Sequence, residues 1–123
     1  MNAKQIVTEL QEKYPGKTII QIPPKNPTEV ICEIKPTSEY PGQSRAIAII
    51  DESIPHFHIK TTEKYTVLKG ALILTAEGKD HHIPEGQSYI IRPMQHHSAK
   101  GDSTWAEVVS TPGWTPDDHI IKE

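Results

Sequence analysis

The sequence predicts an all-β protein of closed or sandwiched antiparallel sheet, preceded by one short helix. Three observations carry that prediction. About eight to ten short apolar or alternating runs recur at regular spacing. Eleven prolines in 123 residues, with glycine-bearing turns, separate them. After residue 14 no run keeps a helical period.

The elements follow in order. Asn2 to Tyr14 reads as an amphipathic helix, with Ala3, Ile6, Val7 and Leu10 at three-four spacing, Asn2 as cap and Pro15-Gly16 as stop. Strands are expected over Lys17–Ile22, Glu29–Lys35 and Arg45–Ile50, with Asp51–Pro55 a loop. Another pair is expected at His56–His58 and Glu63–Leu68, the second closed by Gly70. Ala71–Ala76 and His81–Ile83 flank Glu77-Gly78-Lys79-Asp80, a hairpin signal. Ser88–Ile91, His97–Ala99 and Thr104–Ser110 complete the set, the last two separated by a turn at Gly101-Asp102. The organisation expected is one domain over residues 1–123: helix 1–15, barrel 17–110 and a tail 111–123 wrapped on the outside.

Composition narrows the function classes. Thirteen basic and sixteen acidic residues leave a net charge of −3 without a block of like charge, so neither a nucleic-acid nor a membrane partner is expected. A lone cysteine, Cys32, excludes a disulfide scaffold, and a reduced, cytoplasmic compartment is the economical reading.

The chemistry concentrates between His56 and Gly70. On an extended strand His56 and His58 project to one side and Phe57 to the other. Glu63 opens the next strand, and His97 arrives after two more turns. Imidazoles and a carboxylate that converge suit a first-row transition metal. An isolated His-x-His on a strand is more often the polar face of a sheet, so the pair alone decides little. Of His96-His97, one must point elsewhere, and the spacing from Gly86 favours His97 as the ligand. His81 and His82, beside the hairpin turn, are expected in solvent, as is His119 in the tail. Tyr65 shares the face of Glu63 and is a candidate substrate-binding or catalytic residue, with core packing the equal alternative. Arg45 is a candidate for holding a substrate carboxylate, although a surface arginine is the commoner case. Val67, Leu72, Leu74 and Ile91 are expected in the core. Trp105 and Trp114 could meet on the outside or at a subunit interface.

The order of these residues resembles the cupin superfamily. His56, His58, Glu63 and Gly70 match its first motif, and Gly86, Pro93 and His97 its second, over about residues Arg45 to Ser110. Ile50 and Met94 stand where the motifs usually have glycine, and Gly101 falls where an asparagine often follows the last ligand. The resemblance implies a double-stranded β-helix, a jelly-roll barrel, holding one divalent transition metal (Mn, Fe, Co, Ni, Cu or Zn) on His56, His58, Glu63 and His97. It also suggests a homodimer, which would cover an exposed strand edge. Three functions are then open. The first is Lewis-acid chemistry on a small sugar, sugar acid or keto acid, of isomerase, epimerase or lyase type. The second is an Fe(II)-dependent dioxygenase, and the third a cupin that binds or senses a small ligand without turnover.

Overall fold

The computed structural model describes residues 1–121. One helix, α1 (Ala3–Lys13), precedes ten strands: β1 (Thr18–Ile22), β2 (Glu29–Lys35), β3 (Ser44–Glu52), β4 (His56–Phe57), β5 (Thr62–Lys69), β6 (Ala71–Ala76), β7 (Lys79–Pro84), β8 (Ser88–Ile91), β9 (His97–Thr111) and β10 (Ile120–Ile121). The Asn2 side chain accepts a hydrogen bond from the Gln5 N–H and caps α1. Ile6 and Leu10 are the helix's buried face.

The sheet is organised around β9. Its C-terminal half lies between β3 and β5, and its N-terminal half is flanked by β4 and β6. All pairings are antiparallel, and the sheet runs β1-β2-β3-β9-β4-β10 with β5–β8 and β6–β7 as side branches. The sheet thereby curls into the expected jelly-roll barrel.

The single strand β9 corrects the expected turn at Gly101-Asp102. The chain bends there without leaving the sheet. Ser103 takes a left-handed φ of 48°, and the registers with β3 and β5 shift beside it, the signature of a bulge. The Ser103 N–H and hydroxyl both donate to Asp51 Oδ1 and so hold the bend. Gly101 is required by close approach, because a Cβ there would sit 2.9 Å from the Ile50 carbonyl and 2.4 Å from Thr104 Oγ1. Two smaller boundaries also move. β3 continues to Glu52, into the expected loop, and β7 begins at Lys79 because Glu77-Gly78, both at positive φ, form a two-residue hairpin turn.

Each face of β3 is buried. Ala48 and Ile50 join Val67, Leu72, Leu74 and Ile91 inside the barrel. Ile47 and Ile49 join Ile6, Leu10, Val30, Cys32 and Trp105 beneath α1. Trp105 therefore belongs to the helix-side core, where Lys13 covers its ring, while Trp114 stands against His119, so the two do not meet within the chain. The tail is also corrected. It does not lie on the outside: Trp114 to Pro116 and His119 line the barrel cavity, and β10 pairs with β4. The last two residues of the expected tail, 122 and 123, lie outside the described residues.

Candidate metal centre

His56 and His97 are register partners on β4 and β9, which sets their rings 4.2 Å apart between centroids. His58 follows on the same side as His56, and Phe57, on the other, stacks on His96 at 4.5 Å. His96 thus turns away while His97 turns in. Met94 makes the preceding turn possible by adopting φ 71°, the glycine-like conformation of the residue it replaces in the motif. It is exposed, so its side chain has room despite that backbone. Ile50, at the other glycine position of the motif, is fully buried in the barrel core.

Glu63 on β5 completes the group. Glu63 Oε1 lies 3.0 Å from His58 Nε2 and 3.3 Å from His97 Nε2. One donor atom from each of His56, His58, Glu63 and His97 falls within 4.8 Å of the rest, and all four residues are buried. Neighbouring ligands on one six-coordinate ion at ordinary bond lengths are about 3 Å apart, so the spacing fits a first-row metal.

The hydrogen bonds behind the rings test that fit more closely. His56 Nδ1 is 2.7 Å from the Ile54 carbonyl, His58 Nδ1 2.7 Å from that of Asp118, and His97 Nδ1 3.0 Å from that of Gln95. A carbonyl can only accept, so each Nδ1 carries the proton and donates it outward. Each Nε2 is left with a lone pair aimed at the centre. His97 Nε2 is buried without a hydrogen-bond partner. With all three Nε2 atoms unprotonated, four acceptors face one point, an arrangement that a metal ion would satisfy together; a proton on His58 Nε2 shared with Glu63 Oε1 satisfies that pair alone.

Electrostatics agree. Burial, then the neighbouring His97, push His56 down to about 3, so it is neutral at any physiological pH. Burial alone would raise Glu63, but the imidazoles of His58 and His97, with Nε2 atoms 3.0 and 3.3 Å from its Oε1, outweigh it and hold the carboxyl well below its ordinary value. Burial lowers His58, yet the Glu63 carboxylate beside it wins and raises it. Negative charge at Glu63 is thus already answered by partial positive charge, the arrangement a cation would replace.

Two residues of the centre were missed from sequence. Asp118 is buried at the end of the short 3-10 turn Pro116–Asp118, and its carboxylate accepts from the backbone N–H groups of Ile59, Lys60 and Thr61 at 2.8–3.2 Å. It therefore fixes the loop between His58 and Glu63 while its carbonyl orients the His58 ring. Burial opposes its charge, but those backbone N–H groups overcome it and hold Asp118 below the ordinary carboxylate range. His119 is the second, and its expected place in solvent is corrected. Its ring stacks on His56 at 4.1 Å, and its Nδ1 accepts from Trp114 Nε1 at 3.3 Å. Burial, then His58, lower its pKa, so it too is neutral. Neither residue has a local signal, since each is brought to the centre only by the return of the tail.

The remaining candidates fall as follows. Tyr65 is buried and lines the cavity, its ring 6.3 Å from that of His97. Burial, and then the Glu63 and Glu29 carboxylates, keep its hydroxyl protonated well above its ordinary range. Arg45 borders the cavity and is paired with Glu107 at 2.6 Å. His82 is exposed; His81 is half-buried against Tyr89, whose hydroxyl is 3.1 Å from its Nε2, and neither lines the cavity. The cavity, about 740 Å³, is lined by His56 and Glu63 of the four residues.

The cupin domain family matches residues 47–111. No protein of curated function matches the chain. Among solved structures, KdgF from Halomonas sp. is 17% identical, with a TM-score of 0.67 over 82% of this chain and 91% of that one. The nucleoside dehydratase Pac13 is 10% identical, with a TM-score of 0.74 over 88% of each chain, and Streptomyces variants of it have been solved with uridine. A sugar phosphate isomerase of the cupin superfamily from Silicibacter pomeroyi is 18% identical, with a TM-score of 0.59 over 72% of this chain and 61% of that one. At these identities the likeness is one of fold.

Proposed function

The chain belongs to the cupin family, and from that premise we propose that it binds one divalent transition metal and acts as a Lewis-acid enzyme on a small, oxygen-rich molecule. The observation that carries this reading is the convergence of three Nε2 lone pairs and one carboxylate oxygen, each imidazole fixed from behind by a backbone carbonyl. His56, His58, His97 and Glu63 would hold the ion. When bound, it supplies polarisation of a ligand oxygen, which acidifies the neighbouring C–H or O–H.

The chain's own residues do the rest. Barrel walls restrict water and lower the local dielectric, which strengthens every charge in the cavity. The Tyr65 hydroxyl stays protonated and serves as a fixed donor to a ligand oxygen. Arg45, on the border of the cavity, suits an anionic group at the ligand's outer end. Sugar-sized ligands fit a volume of about 740 Å³. The names of two similar folds, a sugar phosphate isomerase and a nucleoside dehydratase, point to ligands of the same kind.

Metal analysis of protein purified without oxygen, beside the His56→Ala variant, tests the reading. About one equivalent of Mn, Ni or Zn without oxygen uptake supports it, with sharp loss in the variant. Iron with oxygen consumption would move the protein to dioxygenase chemistry. Full metal retention in the variant overturns the site.

A further inference from the structure

The cavity holds a second carboxyl that the metal reading leaves unused. On β2, Val30, Cys32 and Ile34 pack toward α1, so the opposite parity, Glu29, Ile31 and Glu33, faces the barrel cavity. Glu29 is paired in register with Ile22 on β1 and Ile50 on β3, apolar neighbours on both sides. Among the described residues its carboxyl has neither a hydrogen-bond nor an ion-pair partner within reach. Glu29 is half-buried on the cavity wall, and a carboxyl held there between apolar neighbours without a partner finds one in what the cavity binds. We propose that Glu29 is a catalytic residue of this cavity that exchanges a proton with the bound substrate, a molecule carrying a C–H next to a carbonyl. The proposal rests on the Lewis-acid reading above.

The two carboxyls are driven apart by their surroundings. Glu63 is kept ionised by His58 and His97. Glu29 is pushed up to about 7, by burial first and by the charge of Glu63 second. Groups separated in this way divide the labour of holding charge and moving a proton. The other charged and titratable groups on the cavity are Glu33 and Lys35 on its own strand, Arg45 on β3 and His56 on β4. Glu63 and Tyr65 face in from β5 and His119 from the tail, while β1 contributes only Ile20 and Ile22. In the reaction the Glu29 carboxylate takes the proton from the carbon, and the electron pair of the broken C–H bond passes to the carbonyl oxygen as an enolate. Returning that proton to carbon reverses the step. Giving it to a departing β-hydroxyl releases water, leaves the unsaturated carbonyl product and restores the carboxylate. No oxidant or reductant is needed.

Oxalate, whose paired oxygens resemble an enolate, is the probe. Cobalt(II)-loaded protein is titrated with oxalate by visible absorbance across pH. The acid form of Glu29 donates to the dianion and the ionised form repels it. Wild-type affinity should therefore fall about tenfold per pH unit above the Glu29 midpoint. Glu29→Gln should lose that dependence, and Glu33→Gln should keep it. Identical profiles in wild type and Glu29→Gln overturn the proposal. If Glu29→Gln does not fold, carboxyl carbon NMR of the wild type decides. Oxalate should raise the Glu29 midpoint, and an unmoved midpoint overturns the proposal. Failure of cobalt to bind at all overturns the metal reading instead, and this inference with it.

Discussion

Two regions of the barrel interior are built by the same strands and end up opposite in character. On β5, Val67 lies in a packed region with Leu72, Leu74 and Ile91, all at most 1% exposed, while Tyr65 and Glu63 on the same face reach the cavity. On β3, Ile50 fills the packed region, and Ala46 and Ala48 leave space. Side-chain volume on a shared strand decides which stretch is filled and which is hollow. Polar groups can be kept only along the hollow stretch, where a ligand, an ion or water can answer them.

Leu74→Ala should be the most damaging change to the packed region. A cavity among Leu72, Ile91 and Val67 costs ~2–5 kcal/mol, read as a lower denaturation midpoint. Metal content should stay unchanged in the folded fraction, and its loss would show that the two regions are not separable. Stripping the metal from the hollow region is next. Chelation should lower thermal stability relative to protein at a thousandfold excess of metal over Kd by about 4 kcal/mol. A melting temperature indifferent to chelator would break the comparison.

Asp118→Ala should follow, because it frees the loop between His58 and Glu63 without touching a metal ligand. Removal of such a supporting residue weakens metal binding by about 10–100-fold, measurable by competition with a chromophoric chelator. Asp118 is held below its unfolded pKa, so its stabilising contribution is present above that value and lost as pH falls through the folded one. The variant and wild type should therefore converge in stability at acid pH. Smallest is Glu29→Gln on stability. With its pKa raised from the usual 4.5 to about 7, ionised Glu29 destabilises the fold increasingly as pH rises across that interval. The variant should gain stability over wild type on the order of 1 kcal/mol at pH 8 and nothing at pH 4. A gain at both would point to packing instead of charge.

Much of this was legible along the chain. The His-x-His spacing, Glu63 and the choice of His97 over His96 follow from local order, because strand parity and turn length act over a few residues. Glu29 was legible only in part. The alternation over Glu29–Lys35 is plain, but it reads as a wet face and a core face. The structure makes Val30 and Cys32 the face beneath α1, and the polar parity the barrel interior.

By itself, then, the sequence determined the strands, most of the turns and the four residues that could meet a metal, since these depend on periodicity and on close neighbours. Only the tertiary structure decided the unbroken, bulged course of β9, the inward face of β2 and the return of the tail that brings Asp118 and His119 to the centre. Each depends on contacts between residues distant in the chain, about twenty positions for Leu10 against Val30 and about fifty to sixty for the bonds of Ser103 to Asp51 and of Asp118 to Ile59. Such contacts form only once closure of the whole barrel has offset the entropy of joining distant segments.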